Sequence, residues 1–223
     1  MTATARSIAA TWSFVRAWLP TPRASVVDMG CGSAGGFVPI LRANGYEAIG
    51  IDPAAPAGPH YQQTEFERAE LPEQLETIVA STSLHHVSDP AAVIDRMADA
   101  LAPRGRLVVV EWAWEVFDRR TADWCFARLG PDEESGWLHR RREEWQRSGQ
   151  QWRNYLRGWA EREGLHRGTE LVRLLDERFE RTLLENGPFF FPELAETTAV
   201  DEQAAIDAGE IEATRINWVG TRI

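Results

Sequence analysis

From residue 25 to 112 the chain alternates short, β-branched apolar runs with longer stretches whose apolar positions recur every three or four residues. Runs such as "SVVDM", "YEAIGID", "ETIVAS" and "RLVVVEW" predict strands of a parallel sheet covered on both faces. Between them, "GGFVPILRANG" predicts a helix closed by Asn44 and Gly45, and "DPAAVIDRMADALAPRG" a helix capped by Asp89 with Pro90 at its first position. The stretch "PAAPAGPHYQQ" holds too much proline for a crossover helix, so an irregular loop or a single turn is expected there.

After Trp112 the alternation stops. Residues 113–178 are helical in character and dense in Arg, Glu and Trp, with seven of the ten tryptophans lying between 112 and 159. Leu138, Trp145, Trp152 and Trp159 recur every seven residues, yet "SGQQ" at 148–151 has the Ser-x-x-Gln form of a capping box. One helix therefore ends near Arg147 and another starts after Ser148, giving a helical hairpin or small bundle. Beyond it, "FERTLLE" reads as a strand, "NGPFFFPEL" as a turn plus an apolar stretch, "DEQAAIDAGEIEA" as a helix and "TRINWVGTRI" as a terminal strand. Residues 1–24 read as an amphipathic helix, and neither as a signal peptide nor as a membrane span. At 223 residues the chain suits one domain, 1–223, carrying an insertion.

Composition narrows the chemistry. A formal charge of −10 opposes a long phosphate backbone, so nucleic acid is not the expected partner. All 24 basic residues are arginine, which leaves no side-chain amine for a Schiff base and excludes pyridoxal-phosphate and aldolase-type reactions. Cys31 and Cys125 are too few for a disulfide framework, and a reduced, cytoplasmic setting follows. His60, His139 and His166 lack ligand spacing, so no metal is expected. "HRRREE" at 139–144 reads as a solvated helical face. Homodimerisation is left open.

The candidate site is "VVDMGCGSAGG" at 26–36, where a strand ends in an acid and breaks into glycines. Such a turn lets backbone approach a ligand, and free amides at the following helix start favour polar or anionic groups. Gly30, Gly32 and Gly35 satisfy G-x-G-x-x-G, and Asp52 at the end of the second strand is placed for a ribose diol. Those residues alone fit a nicotinamide cofactor as well as an adenosyl one. Asp28 separates them: a second negative charge gains nothing beside a diphosphate, whereas it stabilises the ammonium of S-adenosylmethionine. The plainer role for Asp28 is to cap the glycine loop.

In order and at these separations, "VVDMGCGSAGG", "AIGIDP", "FERAELP", "TIVASTSLHHV" and "LAPRGRLVVVEW" resemble the successive motifs of class I S-adenosylmethionine-dependent methyltransferases, in the branch acting mostly on small molecules and quinone precursors. The resemblance spans 25–112 and resumes loosely from 179. It implies an α/β, doubly wound, Rossmann-like, mostly parallel seven-stranded sheet with an antiparallel C-terminal strand and a helical lid, 113–178, inserted after the fifth strand. It also implies that Asp28 faces the methionine amine, that Gly30, Cys31 and Gly32 pass beneath methionine and ribose, and that Asp52 takes the ribose hydroxyls with Pro53 beside the adenine. Glu67 would accept from the adenine amino group, the Arg68 amide would lie nearby, and Ser81 would line the methionine side. Two departures stand out: Ala34 replaces the third glycine of the common G-x-G-x-G, and Glu67 replaces an aspartate.

Methyl transfer from a sulfonium is an in-line displacement that asks for alignment, exclusion of water and, for hydroxyl acceptors, a route for the proton. His85 and His86, just beyond the fourth strand, are candidate bases, with helix capping and wall lining as their plainer roles. Glu111, ending the fifth strand, is a candidate to hold an acceptor's hydroxyl or amine. Trp112 and Trp114 are the rings best placed to touch an acceptor; most of the other tryptophans read as packing. The N-terminal Trp12, Phe14 and Trp18 read as core packing or as the opposite wall. The leading expectation is a methyltransferase for a small aromatic or natural-product-like acceptor, O- or N-directed. The alternatives are an enzyme that binds the same cofactor but cyclises, eliminates or decarboxylates, a non-catalytic cofactor-binding subunit and, more remotely, an oxidoreductase.

Overall fold

The computed structural model describes residues 3–130 and 136–222; residues 131–135 of the expected lid and the first two residues of the N-terminal segment lie outside the described residues. Seven strands form one sheet: β1 (Ser25–Met29), β2 (Glu47–Ile51), β3 (Tyr61–Gln62), β4 (Leu75–Ser81), β5 (Leu101–Trp112), β6 (Phe179–Gly187) and β7 (Arg215–Arg222). Their order is β3-β2-β1-β4-β5-β7-β6. The first five are mutually parallel, and β7 runs antiparallel to both β5 and β6. The expected mostly parallel, seven-stranded sheet with an antiparallel C-terminal strand is what forms. No helix joins β2 to β3, as the prolines of 53–59 require.

The apolar runs are continuous because both sheet faces are covered. Val26, Ala48, Val79, Val108 and Val219 point to one side, where α1 (Ala3–Trp18) and α2 (Val38–Ala43) supply Val15 and Leu41. Their neighbours Val27, Ile78, Leu107, Val109 and Trp218 point to the other, against Val93, Ile94 and Met97 of α3 (Pro90–Ala100) and Leu171 and Leu175 of α7 (Gly168–Arg178). Asp89 caps α3 by accepting from the Ala92 amide at 3.0 Å. The helix stops at Ala100, short of the 105 expected from sequence. Pro103 cannot extend it, Arg104 sits at φ 65°, and Leu101 already pairs with Leu75.

A separate aromatic layer lies over the carboxyl ends of the strands. It joins Trp112, Trp114 and Phe117 to α4 (Arg119–Phe126), α5 (Trp137–Ser148) and α6 (Trp152–Arg162), together with Phe190 and Leu194 of the strand β6 to helix α8 (Ala199–Asp207) connection. The break between α5 and α6 falls where the sequence puts it, but by another device. Gly149 ends α5 in the left-handed region (φ 65°), Ser148 bonds back to the Trp145 carbonyl at 2.7 Å, and Gln151 precedes α6 without a side-chain cap. Ser148 thus finishes one helix and does not start the next.

Candidate functional site

The glycine turn is shaped by what each glycine approaches. Gly30, at φ +78°, lies so close to Ser83 that a Cβ would stand 2.2 Å from the Ser83 Cβ; at Gly36, φ +54°, it would stand 2.2 Å from Asp28 Oδ2. At Gly32, φ +62°, a Cβ would meet nothing within 4 Å, so this part of the turn opens onto free space. Asp28 is buried, with Oδ2 accepting from the Phe37 amide at 2.6 Å, and burial pushes its carboxyl up to about 7. The capping role is therefore real. Its other oxygen makes no hydrogen bond among the described residues, and the side chain lines a cavity of about 560 Å³.

That cavity runs from Asp28, Gly30, Cys31 and Gly32 past Ser81 and Thr82 to His85, His86 and the aromatic layer. Burial first, and then the neighbouring Asp28 and Asp52, push the Cys31 thiol up to about 12, so it is a wall and no nucleophile. Thr82, a β-branched residue, is held at φ 51°, where its amide reaches the Val110 carbonyl at 2.7 Å. A second cavity, about 350 Å³, is lined by Asp52, Pro53, Phe66 and Glu67 on one side and by Thr82, Ser83 and His86 on the other. Asp52 bridges two turns: Oδ2 accepts from the Gly32 amide at 3.0 Å and Oδ1 from the Ala54 amide at 2.7 Å. Arg96 of α3 holds the short turn bearing Glu67 by donating to the Phe66 and Ala69 carbonyls. Arg68 is not brought into either cavity: its side chain is exposed beside Glu65, and its amide donates to the Glu65 carbonyl.

The two histidines part company. The Glu111 carboxylate lies beneath the turn after β4 and accepts four hydrogen bonds: Oε1 from the amides of Ser83 (2.8 Å) and Leu84 (2.7 Å), Oε2 from the Trp112 amide (3.0 Å) and from His85 Nδ1 (2.5 Å). It is fully engaged, buried, and absent from both cavity walls, so it does not hold an acceptor as the sequence suggested. A carboxylate at a strand end is drawn inward here because three orphan amides and an imidazole converge on it. Burial opposes its charge, but His85 and the amides outweigh that and hold its pKa below the ordinary value. For His85 burial likewise opposes charge and Glu111 outweighs it, leaving the pKa raised. His86 is solvent-accessible, lines both cavities, and makes no side-chain hydrogen bond among the described residues. Desolvation in the crevice, and then the His85 charge 4.2 Å away between ring centroids, lower its pKa.

The far wall is aromatic. Trp112 is in it, stacked on Phe189 at 5.7 Å and 9°, with Trp137 edge-on at 5.1 Å. Trp114 is elsewhere: its indole donates to the His166 carbonyl at 3.0 Å, and the His166 amide and ring bond to the His85 and Val87 carbonyls. It steadies the histidine turn from behind. In its place the wall recruits Trp137, Trp159, Phe189 and Phe190, along with Arg140, Arg141, Glu163 and Glu193. Sequence periodicity marks Trp159 as an inward position but not the cavity it faces. "HRRREE" is no plain solvated face: Arg141 is 8% exposed and His139 5%. From α1, Ser7 and Ile8 reach the cavity, while Trp12, Phe14 and Trp18 pack on the sheet. The three-residue run Phe189–Phe191 is gripped by Glu202 of α8, which accepts from all three amides at 2.7, 3.0 and 2.7 Å.

A sheet of this order, with open space beside Gly32, an acid over the glycine turn and another ending β2, is the α/β class of fold that takes a nucleotide-like ligand beyond the carboxyl ends of its strands. Residues 4–178 match the methyltransferase domain family, and the chain belongs to that family. Ubiquinone biosynthesis O-methyltransferases of Rhodopseudomonas palustris (strain BisA53) and Bradyrhizobium sp. (strain ORS 278) are each 28% identical over 133 residues, 54% of this chain and 50% of theirs. The chain thus spans half the length of these curated relatives. A crystal structure of an S-adenosylmethionine dependent methyltransferase from Mesorhizobium loti shares the fold with a TM-score of 0.57 at 20% identity, over 96% of this chain and 98% of that one. The N-methyltransferase NodS from Bradyrhizobium japonicum WM9, in complex with S-adenosyl-L-homocysteine, does so with 0.51 at 14% identity, over 98% and 85%. Among the described residues no helix is long and apolar enough to cross a membrane.

Proposed function

We propose that the chain methylates a hydroxyl or amine on a small planar acceptor held under the tryptophan-rich helices, with His86 taking the proton that the acceptor loses. The observation that carries this reading is the position of His86, on the wall of both cavities, with no side-chain hydrogen bond among the described residues. The bound cofactor supplies a methyl group on a positively charged sulfur, a donor already activated. Asp28 would hold its ammonium on the free carboxylate oxygen, and Asp52 its ribose diol. Pro53 and Glu67 would flank the adenine, and Ser81 the methionine side. What remains for the protein is alignment, exclusion of water and proton removal.

His85 is committed to Glu111, which raises its pKa, while desolvation and then His85 lower that of His86, the direction that favours the neutral imidazole a base requires. Trp112, Trp137 and Phe189 line the cavity with aromatic surface against which a ring can pack. Relatives named for ubiquinone O-methylation favour oxygen as the receiving atom. Incubation with isotopically labelled S-adenosylmethionine and a panel of phenols and arylamines is expected to yield products heavier by one methyl. Cofactor binding with no methylated product, or products lacking the added methyl, would overturn the proposal.

A further inference from the structure

The aromatic cavity carries a cation that this reaction does not use. Arg141 projects from the buried side of α5 onto the cavity wall and is only 8% exposed. Its guanidinium carbon stands over the Trp159 ring, 4.8 Å from the centroid. Nη2 donates to Glu144 Oε1 at 2.8 Å, and Glu144 Oε2 in turn accepts from the Tyr155 hydroxyl at 3.1 Å. Nε and Nη1 are buried and find no acceptor among the described residues. Buried donors are almost always satisfied, and those of a charged group are the costliest to leave bare. Two donor nitrogens of one cavity-lining cation therefore lack an acceptor, which a bound anion would supply.

Resting on the methyltransferase reading above, we propose that Arg141 anchors an anionic group of the methyl acceptor, and that this group is a carboxylate on a planar aromatic ring. The ring lies against Trp112, Trp137 and Phe189, with its nucleophilic atom toward His86. A cationic acceptor is disfavoured because Arg141 already covers a face of Trp159 and repels a second cation. A neutral acceptor can offer these donors an oxygen but leaves the guanidinium charge without a counter-charge. A monoanion matches the cavity better than a dianionic phosphate, because Glu163 and Glu193 share the wall with Arg140 and Arg141, and a second negative charge would face them.

The test uses the full chain saturated with S-adenosyl-L-homocysteine, whose own binding is measured first by calorimetry. Hydroxybenzoates, hydroxycinnamates and hydroxynaphthoates are then titrated, each beside its methyl ester and the matching aryl phosphate, with quenching of the tryptophan fluorescence as readout. At least one acid is expected to bind ten- to a hundredfold tighter than its ester, about the worth of one charge-assisted hydrogen bond. Arg141→Gln is expected to erase that preference without changing homocysteine-cofactor affinity, and Arg141→Lys to restore part of it. If no acid outbinds its ester, if the preference survives Arg141→Gln, or if the phosphates outbind the carboxylates, the assignment is overturned, and the wild-type ratios decide even where a variant fails to fold. Absence of cofactor binding would instead sink the methyltransferase reading beneath it.

Discussion

Replacing Asp28 by asparagine separates what this carboxylate does for the fold from what it does for the ligand. Burial raises its pKa from 3.8 to about 7, so in the ligand-free protein the charged form is disfavoured. Below pH 3.8 the group is protonated both folded and unfolded and costs nothing. As pH rises toward 7 the unfolded chain releases the proton that the folded chain retains, and above about 7 the full penalty is present. At about 1.4 kcal/mol per pH unit, the difference amounts to about 4 kcal/mol at pH 8. An asparagine carries no charge, and its oxygen can still accept from the Phe37 amide. In urea unfolding of ligand-free protein, Asp28→Asn is expected to be more stable than wild type, by a margin that grows from near zero at pH 4 to a few kcal/mol at pH 8. Cofactor binding should move the opposite way: calorimetry with S-adenosylhomocysteine is expected to show affinity about 10–100-fold weaker in the variant. Wild-type affinity should itself weaken as pH falls below about 7, where Asp28 must give up a proton to pair with an ammonium. A stability margin that does not widen with pH, or undiminished binding by Asp28→Asn, would refute the reasoning.

Other substitutions probe the same crevice. His86→Gln is expected to lower kcat by about 10²–10⁴ with cofactor affinity unchanged, and wild-type kcat at saturating cofactor should fall with acidification only at a pH below 6.5, following the lowered pKa of His86; the pH–rate profile checks both. Glu111→Gln breaks a buried pair and strips two turn amides of a charged acceptor, so a loss of about 3–5 kcal/mol is expected in denaturant unfolding. The His85–Glu111 pair should stabilise the fold chiefly between the two pKa values: its contribution is lost as pH rises through the raised value of His85 and as pH falls through the lowered value of Glu111. Gly30→Ala meets the Ser83 side chain and should abolish cofactor binding or soluble expression, whereas Gly32→Ala meets open space and should cost only the strain of its positive φ, about 1 kcal/mol by thermal unfolding.

Much of the scaffold is legible in the chain because a strand covered on both faces has to be apolar throughout, and because proline and glycine act locally. Four of the five parallel strands, the Asp89 cap and the helix-free crossover before β3 all rest on such local chemistry, whereas β3, two residues long, lies inside the stretch read as loop. The glycine turn and its two acids are legible for the same reason. The acceptor end is not. Whether Glu111 points into a crevice or under a turn depends on the amides of Ser83 and Leu84, which reach it only when β4 and β5 lie side by side. Seven-residue spacing marks Trp152 and Trp159 as inward, yet only Trp159 lines the cavity, a matter of how α5 and α6 cross. Ser148 fits a capping motif, but the helix it borders is the one before it. Arg141 looks like its solvated neighbours until the fold turns its side of α5 inward.

The grip of Glu202 on residues 189–191 acts on main-chain amides alone and does not depend on which side chains those residues carry. Identity at Phe189 and Phe190 can therefore drift while the path of the segment is preserved. A clamp of this kind lets a lineage retune its choice of substrate by changing one or two rings, with neither the histidines nor the cofactor cradle disturbed.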